Sequence, residues 1–195
     1  MAIIKDCFYH IYNQGNNQQK VFHNRENKLY FLRKFRKLVA PYCEILAYTL
    51  MDNHFHFLIF TNEESIIEKQ TGELKISSLQ NGFRNLISAY TQAINKQQDQ
   101  TGSIFRKSTK FKLLDDKKVD YPFICLNYIH QNPLVAGLVS KMEDWEFSSF
   151  PDYAGFRNGN LCNQELAREL LGISADNFYH ESYNVINDDK INQLF

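Results

Sequence analysis

The sequence predicts an α+β protein: an antiparallel sheet flanked by helices. Three observations carry this. Two apolar, β-branched and aromatic runs, 43–50 and 54–61, are separated only by Met51-Asp52-Asn53, which reads as an antiparallel hairpin. Two other stretches repeat their apolar residues at helical spacing. They are Leu29, Leu32, Phe35, Leu38 and Val39 in the first and Leu79, Phe83, Leu86, Ile87, Tyr90 and Ile94 in the second. Strand-like segments stand before the first helix and after the second, so the order is strand, helix, hairpin, helix, strand and a further helix.

Taken in order, residues 7–13 form an aromatic-rich strand that ends in the turn cluster Gln14-Gly15-Asn16-Asn17. Asn24 caps a helix over 25–39 whose other face carries Lys28, Arg33, Lys34, Arg36 and Lys37, and Pro41 stops it. Residues 62–77 are polar, contain Gly72 and read as a loop. The clearest amphipathic helix starts at Ser78, and 95–102 is a polar connector. Residues 104–114 read as a strand or extended arm bearing Arg106, Lys107, Lys110 and Lys112. A last core helix begins between Asp116 and Asp120 and is expected to end by Pro133. After Trp145 only 163–171 reads as helix. The chain therefore divides into a domain over 1–155 and an acidic C-terminal appendage over 156–195.

Composition narrows the class. The 195 residues are 44% hydrophobic and 23% charged, values of a folded globular chain rather than a disordered one. The apolar runs at 45–51 and 57–60 are far too short to cross a bilayer, and no leader peptide is evident. The expectation is a soluble cytoplasmic protein with no membrane partner. Cys7, Cys43, Cys125 and Cys162 lie far apart, which suggests buried small hydrophobes rather than disulfides or a thiolate site. The net charge of zero hides an asymmetry. Residues 1–118 carry 18 basic and 11 acidic side chains, whereas 141–195 carry 4 basic and 10 acidic. A basic body with an acidic tail points toward a polyanion.

The chemistry concentrates in two segments. In Asn53-His54-Phe55-His56-Phe57-Leu58-Ile59, alternation along a strand puts His54 and His56 on one face and the apolar residues on the other. Two imidazoles so placed can chelate one divalent metal. By itself the pattern also fits two half-buried histidines with no metal. In Tyr128-Ile129-His130-Gln131-Asn132-Pro133, the helical spacing stacks Tyr128 and Asn132 on one face. Beside a metal, Asn132 would add an oxygen ligand and Tyr128 a nucleophile. His10 and His23 have no partner at ligand spacing, and Tyr90 and Tyr121 have no neighbouring metal amide, so all four read as structural. His130 leaves the Tyr128 stripe and reads as a packing or DNA-contact residue.

Together these segments resemble the single-tyrosine HUH transposases, most closely the REP-associated tyrosine transposases. The family's Asn-His-x-His element stands here as 51–59, and its tyrosine helix as Asn127-Tyr128-Ile129-His130-Gln131-Asn132-Pro133-Leu134-Val135-Ala136-Gly137-Leu138-Val139. Three weaker echoes follow in register: Tyr9-His10-Ile11-Tyr12-Asn13-Gln14-Gly15, Gly102-Ser103-Ile104-Phe105 and Trp145-Glu146-Phe147-Ser148-Ser149-Phe150. The resemblance spans about residues 5–155. Asp52 replaces the usual proline, and Gln14 and Val135 stand where arginine is common, which weakens the case for DNA affinity and transposition more than for the catalytic core.

The resemblance implies a ferredoxin-like HUH core with Mg²⁺ or Mn²⁺ on His54, His56 and Asn132. It implies cleavage of single-stranded or hairpin DNA through a 5′-phosphotyrosine on Tyr128, with rejoining and transposition. Arg33, Lys34, Arg36, Lys37, Arg106, Lys107, Lys110 and Lys112 become candidate phosphate contacts. The family includes monomers and domain-exchanging dimers, so a homodimer stays open. Other readings are a non-transposing hairpin DNA-binding protein of the same fold, a replication-type HUH nuclease, and, more remotely, a metal-dependent hydrolase of small molecules.

Overall fold

The computed structural model describes residues 2–72, 74–114 and 120–195. Strand β1 (Phe8–Gln14) leads to helix α1 (Arg25–Leu38), and the hairpin strands β2 (Glu44–Leu50) and β3 (His54–Phe60) follow. After the short helix α2 (Glu63–Ile66) come a small hairpin, β4 (Glu68–Thr71) and β5 (Leu74–Ser77), and the long helix α3 (Ser78–Gln98). Strand β6 (Lys110–Leu113) closes the sheet, and helix α4 (Tyr121–Val135) crosses it. The chain ends in four short helices, α5 (Phe150–Tyr153), α6 (Gln164–Leu171), α7 (Phe178–Glu181) and α8 (Asp188–Asn192). The sheet order β2-β3-β1-β6, antiparallel at every pairing, is that of a ferredoxin-like βαββαβ core. The α+β antiparallel architecture expected from the sequence is the one observed.

Alternation along the strands divides the protein into layers. Phe55 and Phe57 of β3 point toward α1 and α3. There Phe35 stacks on Phe57 at 4.1 Å, Phe31 lies 5.3 Å from Phe55, and Phe83 meets Phe35 at 5.8 Å. Gly82 lets the two helices close on each other, because a Cβ there would run into the Leu38 carbonyl. Helix α4 covers the opposite face, against β2, β3 and β1. Asn24 caps α1 through the Asn27 amide, and Ser77 with Gln80 forms a capping box on α3.

The tight β2–β3 connection is held by charge. Asp52 accepts hydrogen bonds from Lys28 at 2.7 Å and Lys20 at 2.9 Å, while its carbonyl accepts from the Val21 and Phe22 amides. Partial burial alone would raise the Asp52 carboxyl, but the two ammonium groups bring it below its ordinary value. This aspartate anchors the turn from which His54 emerges.

Four sequence expectations are corrected, the first being that only 163–171 is helical after Trp145: α5, α7 and α8 lie there too. Residues 62–77 are not a loop: α2 and the β4–β5 hairpin lie there, on a polar, largely exposed segment without an apolar stripe to reveal them. Helix α3 runs to Gln98, through part of the expected connector. Helix α4 runs past Pro133 to Val135, because a proline in the last turn forfeits a single helical hydrogen bond. Its described start is capped by Asp120; the expected start region at Asp116 lies outside the described residues.

The segment after α4 is packed onto the sheet rather than hung from it. Strand β2 is an edge, and its free groups are taken by this segment. The Leu50 amide donates to the Phe147 carbonyl at 2.8 Å, the Ser149 amide to Tyr48 at 3.0 Å and the Asn163 amide to Ile45 at 2.8 Å. Phe178 packs on Phe150, Tyr153 and His130, and Leu194 is fully buried. Cys43, Cys125 and Cys162 are buried, and Cys7 is partly exposed. Among the described residues no helix is long and apolar enough to cross a membrane.

The Phe35–Phe57 stack predicts that Phe35→Ala lowers unfolding stability by about 3–5 kcal/mol, as for other large-to-small core changes. Urea unfolding followed by circular dichroism measures it; a loss below about 1 kcal/mol would show that this stack is not central to the core.

Candidate active site

The candidate site is built where β3, β1 and α4 meet, on the face away from α1 and α3. With Phe55 and Phe57 committed to the core, His54 and His56 must face α4. The β1–β3 register sets Tyr12 opposite His56 and Gln14 opposite His54, and His10 shares their face. Helix α4 brings the Tyr128 ring edge-on to His56, with centroids 5.5 Å apart. One turn later Asn132 donates from Nδ2 to the Tyr128 carbonyl at 3.4 Å. Its carboxamide also bears on the His54 ring, which it favours in the protonated form, and on the Tyr128 phenol, which it favours ionised. The four residues singled out in the sequence, His54, His56, Tyr128 and Asn132, are thus gathered in one place.

The two imidazoles are held differently. His54 Nδ1 lies 2.6 Å from Asn53 Oδ1. Asn53 donates from Nδ2 to the Gln18 carbonyl, which orients the amide with its oxygen toward His54. His54 therefore donates from Nδ1, and when neutral it keeps a lone pair on Nε2. His56 Nδ1 lies 2.8 Å from His10 Nε2, and His10 Nδ1 lies 2.9 Å from the Leu194 carbonyl.

Burial governs the ionisation of the whole cluster. It brings His10 down to about 4 and lowers His54. His56 falls well below the usual range through burial, reinforced by His10 and His54. Burial raises the Tyr128 phenol, and Asn132 opposes that rise. At neutral pH the imidazoles are neutral bases, the form that binds metals.

A cavity of about 590 Å³ opens over His54, His56 and Tyr128 and is also lined by Arg106, Lys107, Lys110 and Phe195. Lys112 lies opposite His10 on β6 and faces the same layer without lining the cavity. The four candidate cations of α1 belong to the other face of the sheet. Arg33 and Lys34 lie over the Tyr30 ring, Arg36 donates to Asn160 at 2.9 Å, and Lys37 is exposed. The structure does not bring them to the cavity.

Two residues of the site carry no local mark in the sequence. Spacing along the chain gives His10 no partner, yet β1 pairing and the C-terminal segment give it two. Phe195 lies 5.6 Å from Tyr128 and 5.0 Å from Tyr12, a contact from remote chain that no local pattern marks. The alternation of His10 and Tyr12 in β1 is the available signal, but it needs the β1–β3 pairing. Tyr90 donates to the Val21 carbonyl at 2.7 Å in the opposite layer, and Tyr121 packs against the core. His130 is fully buried with its Nε2 2.8 Å from the Ser149 hydroxyl, so it is a packing residue.

Among the described residues no group of three or more His, Cys, Asp or Glu side chains is placed to hold a metal ion. The donor set available is two imidazoles with Asn132 as a carboxamide oxygen. It suits a divalent ion that accepts nitrogen and neutral oxygen ligands and retains water.

No protein-family model matches the chain, and no curated protein sequence matches it. Among solved structures, that of a REP-associated tyrosine transposase bound to a REP hairpin is similar, with 18% identity and a TM-score of 0.55. The match covers 84% of this chain and 92% of that one. This likeness is one of fold: an antiparallel four-stranded sheet flanked by helices.

The buried neutral histidines carry a pH consequence. Unfolded, each titrates near 6.5; folded, His10 titrates near 4 and His130 near 3. The unfolded chain therefore binds more protons below 6.5, so stability is complete above that pH and is lost as pH falls toward 4. Each such imidazole contributes a slope of about 1.4 kcal/mol per pH unit in that window. Urea midpoints should fall between pH 7 and pH 5.5, above the carboxylate range; equal midpoints would contradict the neutral assignment.

Proposed function

We propose that this chain is a transposase-like single-stranded DNA endonuclease and strand transferase acting at hairpin-forming DNA, with Tyr128 as nucleophile. The observation that carries the reading is the convergence of Tyr128, His54, His56 and Asn132 beneath a cavity edged by Arg106, Lys107 and Lys110. The fold likeness to a hairpin-bound tyrosine transposase supports it.

In this reading Arg106, Lys107 and Lys110 bind the DNA phosphates and set its register. Tyr128 Oη attacks phosphorus, the bond to the 3′ oxygen breaks, and a 5′-phosphotyrosine forms. The proton lost by the phenol is balanced by the one gained at the freed 3′-hydroxyl. Asn132 favours the ionised phenol against burial, which opposes ionisation. A divalent ion, Mg²⁺ or Mn²⁺, held by His54, His56 and the Asn132 carboxamide, would supply Lewis-acid polarisation of the phosphodiester. A 3′-hydroxyl attacking the phosphotyrosine reverses the chemistry and rejoins DNA without an external energy source.

A second reading, hairpin binding without cleavage, draws on Phe195, whose ring sits against Tyr128 and His56. Tyr128→Phe separates the two. It removes one hydroxyl and should reduce covalent adduct and strand cleavage by at least about 10³-fold while hairpin affinity stays unchanged. Wild-type protein that binds hairpin DNA with Mn²⁺ yet forms no adduct would establish the second reading. A phosphotyrosine mapped elsewhere would displace Tyr128.

The charge assignment is tested separately. Arg106→Ala and Lys107→Ala should weaken hairpin binding and flatten its dependence on log salt by about one unit per lost phosphate contact. Arg33→Ala with Lys34→Ala should leave that slope unchanged. Equal effects from the two pairs would mean that DNA binds on the α1 face instead.

A further inference from the structure

We propose that His10 is a positioning residue that fixes the tautomer of His56 through a relay beginning at the Leu194 carbonyl. Its functional meaning rests on the reading of His56 as a metal ligand; the relay itself rests on geometry alone.

The direction of the relay is set at one end. A carbonyl oxygen only accepts, so His10 Nδ1, 2.9 Å from the Leu194 oxygen, carries the proton. A neutral imidazole has one N–H, so His10 Nε2 is a lone pair. His56 Nδ1, 2.8 Å away, must then donate to it. That leaves the Nε2 of His56 unprotonated and free to bind. The ring planes lie within 19° of each other with centroids 5.0 Å apart, the arrangement of an in-plane N–H···N bond rather than a face stack. Both rings are buried, His10 completely and His56 to 4% exposure, so bulk water cannot replace a lost partner.

The opposite arrangement is disfavoured at the first joint, because with its proton on Nε2, His10 would set a lone pair against the Leu194 carbonyl. Asn53 does for His54 what His10 does for His56, through a different chemical group. Both imidazoles consequently present an unprotonated Nε2, each with its tautomer fixed by the partner of Nδ1. The relay also ties the ligand to chain more than a hundred residues away, since its first member is backbone of the C-terminal segment.

Nitrogen-15 labelling of the histidines, read by two-bond nitrogen–proton correlation without metal or DNA at pH above 7, reports the tautomer directly. The expected spectrum shows His56 protonated on Nδ1 and bare on Nε2. His10→Phe keeps a ring but removes the acceptor; Mn²⁺ affinity measured by calorimetry should fall about 10- to 100-fold. His10→Gln can donate to Leu194 and accept from His56, and should restore most of that affinity. Wild-type His56 protonated on Nε2, or His10→Phe binding Mn²⁺ as wild type does, would overturn the proposal. Wild-type protein that takes up no Mn²⁺ overturns the metal reading, and the tautomer spectrum still decides the relay. Where His10→Phe fails to fold, the wild-type and His10→Gln spectra decide between the two tautomers.

Discussion

Strand β3 carries two incompatible chemistries on one backbone, and the pleat keeps them apart. Phe55, Phe57 and Ile59 are fully buried, with Phe55 and Phe57 against the aromatic side chains of α1 and α3, an environment that fixes the strand's rotation about its axis. With that rotation fixed, His54 and His56 have one direction available. A slip of one residue would put the imidazoles into the aromatic layer and the phenyl rings into the cavity. The hydrophobic effect on one face thus sets the placement of polar chemistry on the other. Asp52 reinforces the arrangement by pinning the turn before His54 to Lys28 and Lys20.

Helix α4 and the C-terminal segment complete the second layer. The helix presents Tyr128 and Asn132 to the histidines, while 145–163 satisfies the exposed edge of β2 and α7 packs over Phe150. Arg157 ties this segment together by an ion pair with Asp152 at 2.6 Å and a hydrogen bond to the Ser148 carbonyl. Acidic though the segment is, its Leu171, Phe178 and Leu194 belong to the same buried cluster as the sheet residues.

Neutral, buried imidazoles are costly to protonate, and this ties site chemistry to folding. Histidines exposed to solvent would exchange tautomers and charge freely at physiological pH. Here burial removes the charge, and Asn53, His10 and the Leu194 carbonyl remove the tautomeric freedom. Tyr128 is subject to the same burial, which raises its phenol, and Asn132 is the neighbour that favours the ionised form.

Local pattern was enough to locate the principal elements and the two segments that build the site. Helical spacing marked α1 and α3, the alternating run marked β3, and the spacing of Tyr128 and Asn132 is kept in α4. These features depend on neighbours within one or two turns or one strand, so they are written in contiguous residues. The β4–β5 hairpin was not legible, because each strand has only four residues and β4 contains no apolar one. Nor could charge alone separate the arm from α1: both are rich in lysine and arginine, and only the layering of the sheet puts Arg106, Lys107 and Lys110 at the cavity and the α1 cations on the far face. The partners of His10 come from positions 46 and 184 residues away, and Phe195 reaches Tyr128 from beyond α8. The sequence by itself determined which residues could share a face; which faces meet was decided by tertiary structure, because strand pairing and burial act between segments whose separation along the chain carries no periodic signal.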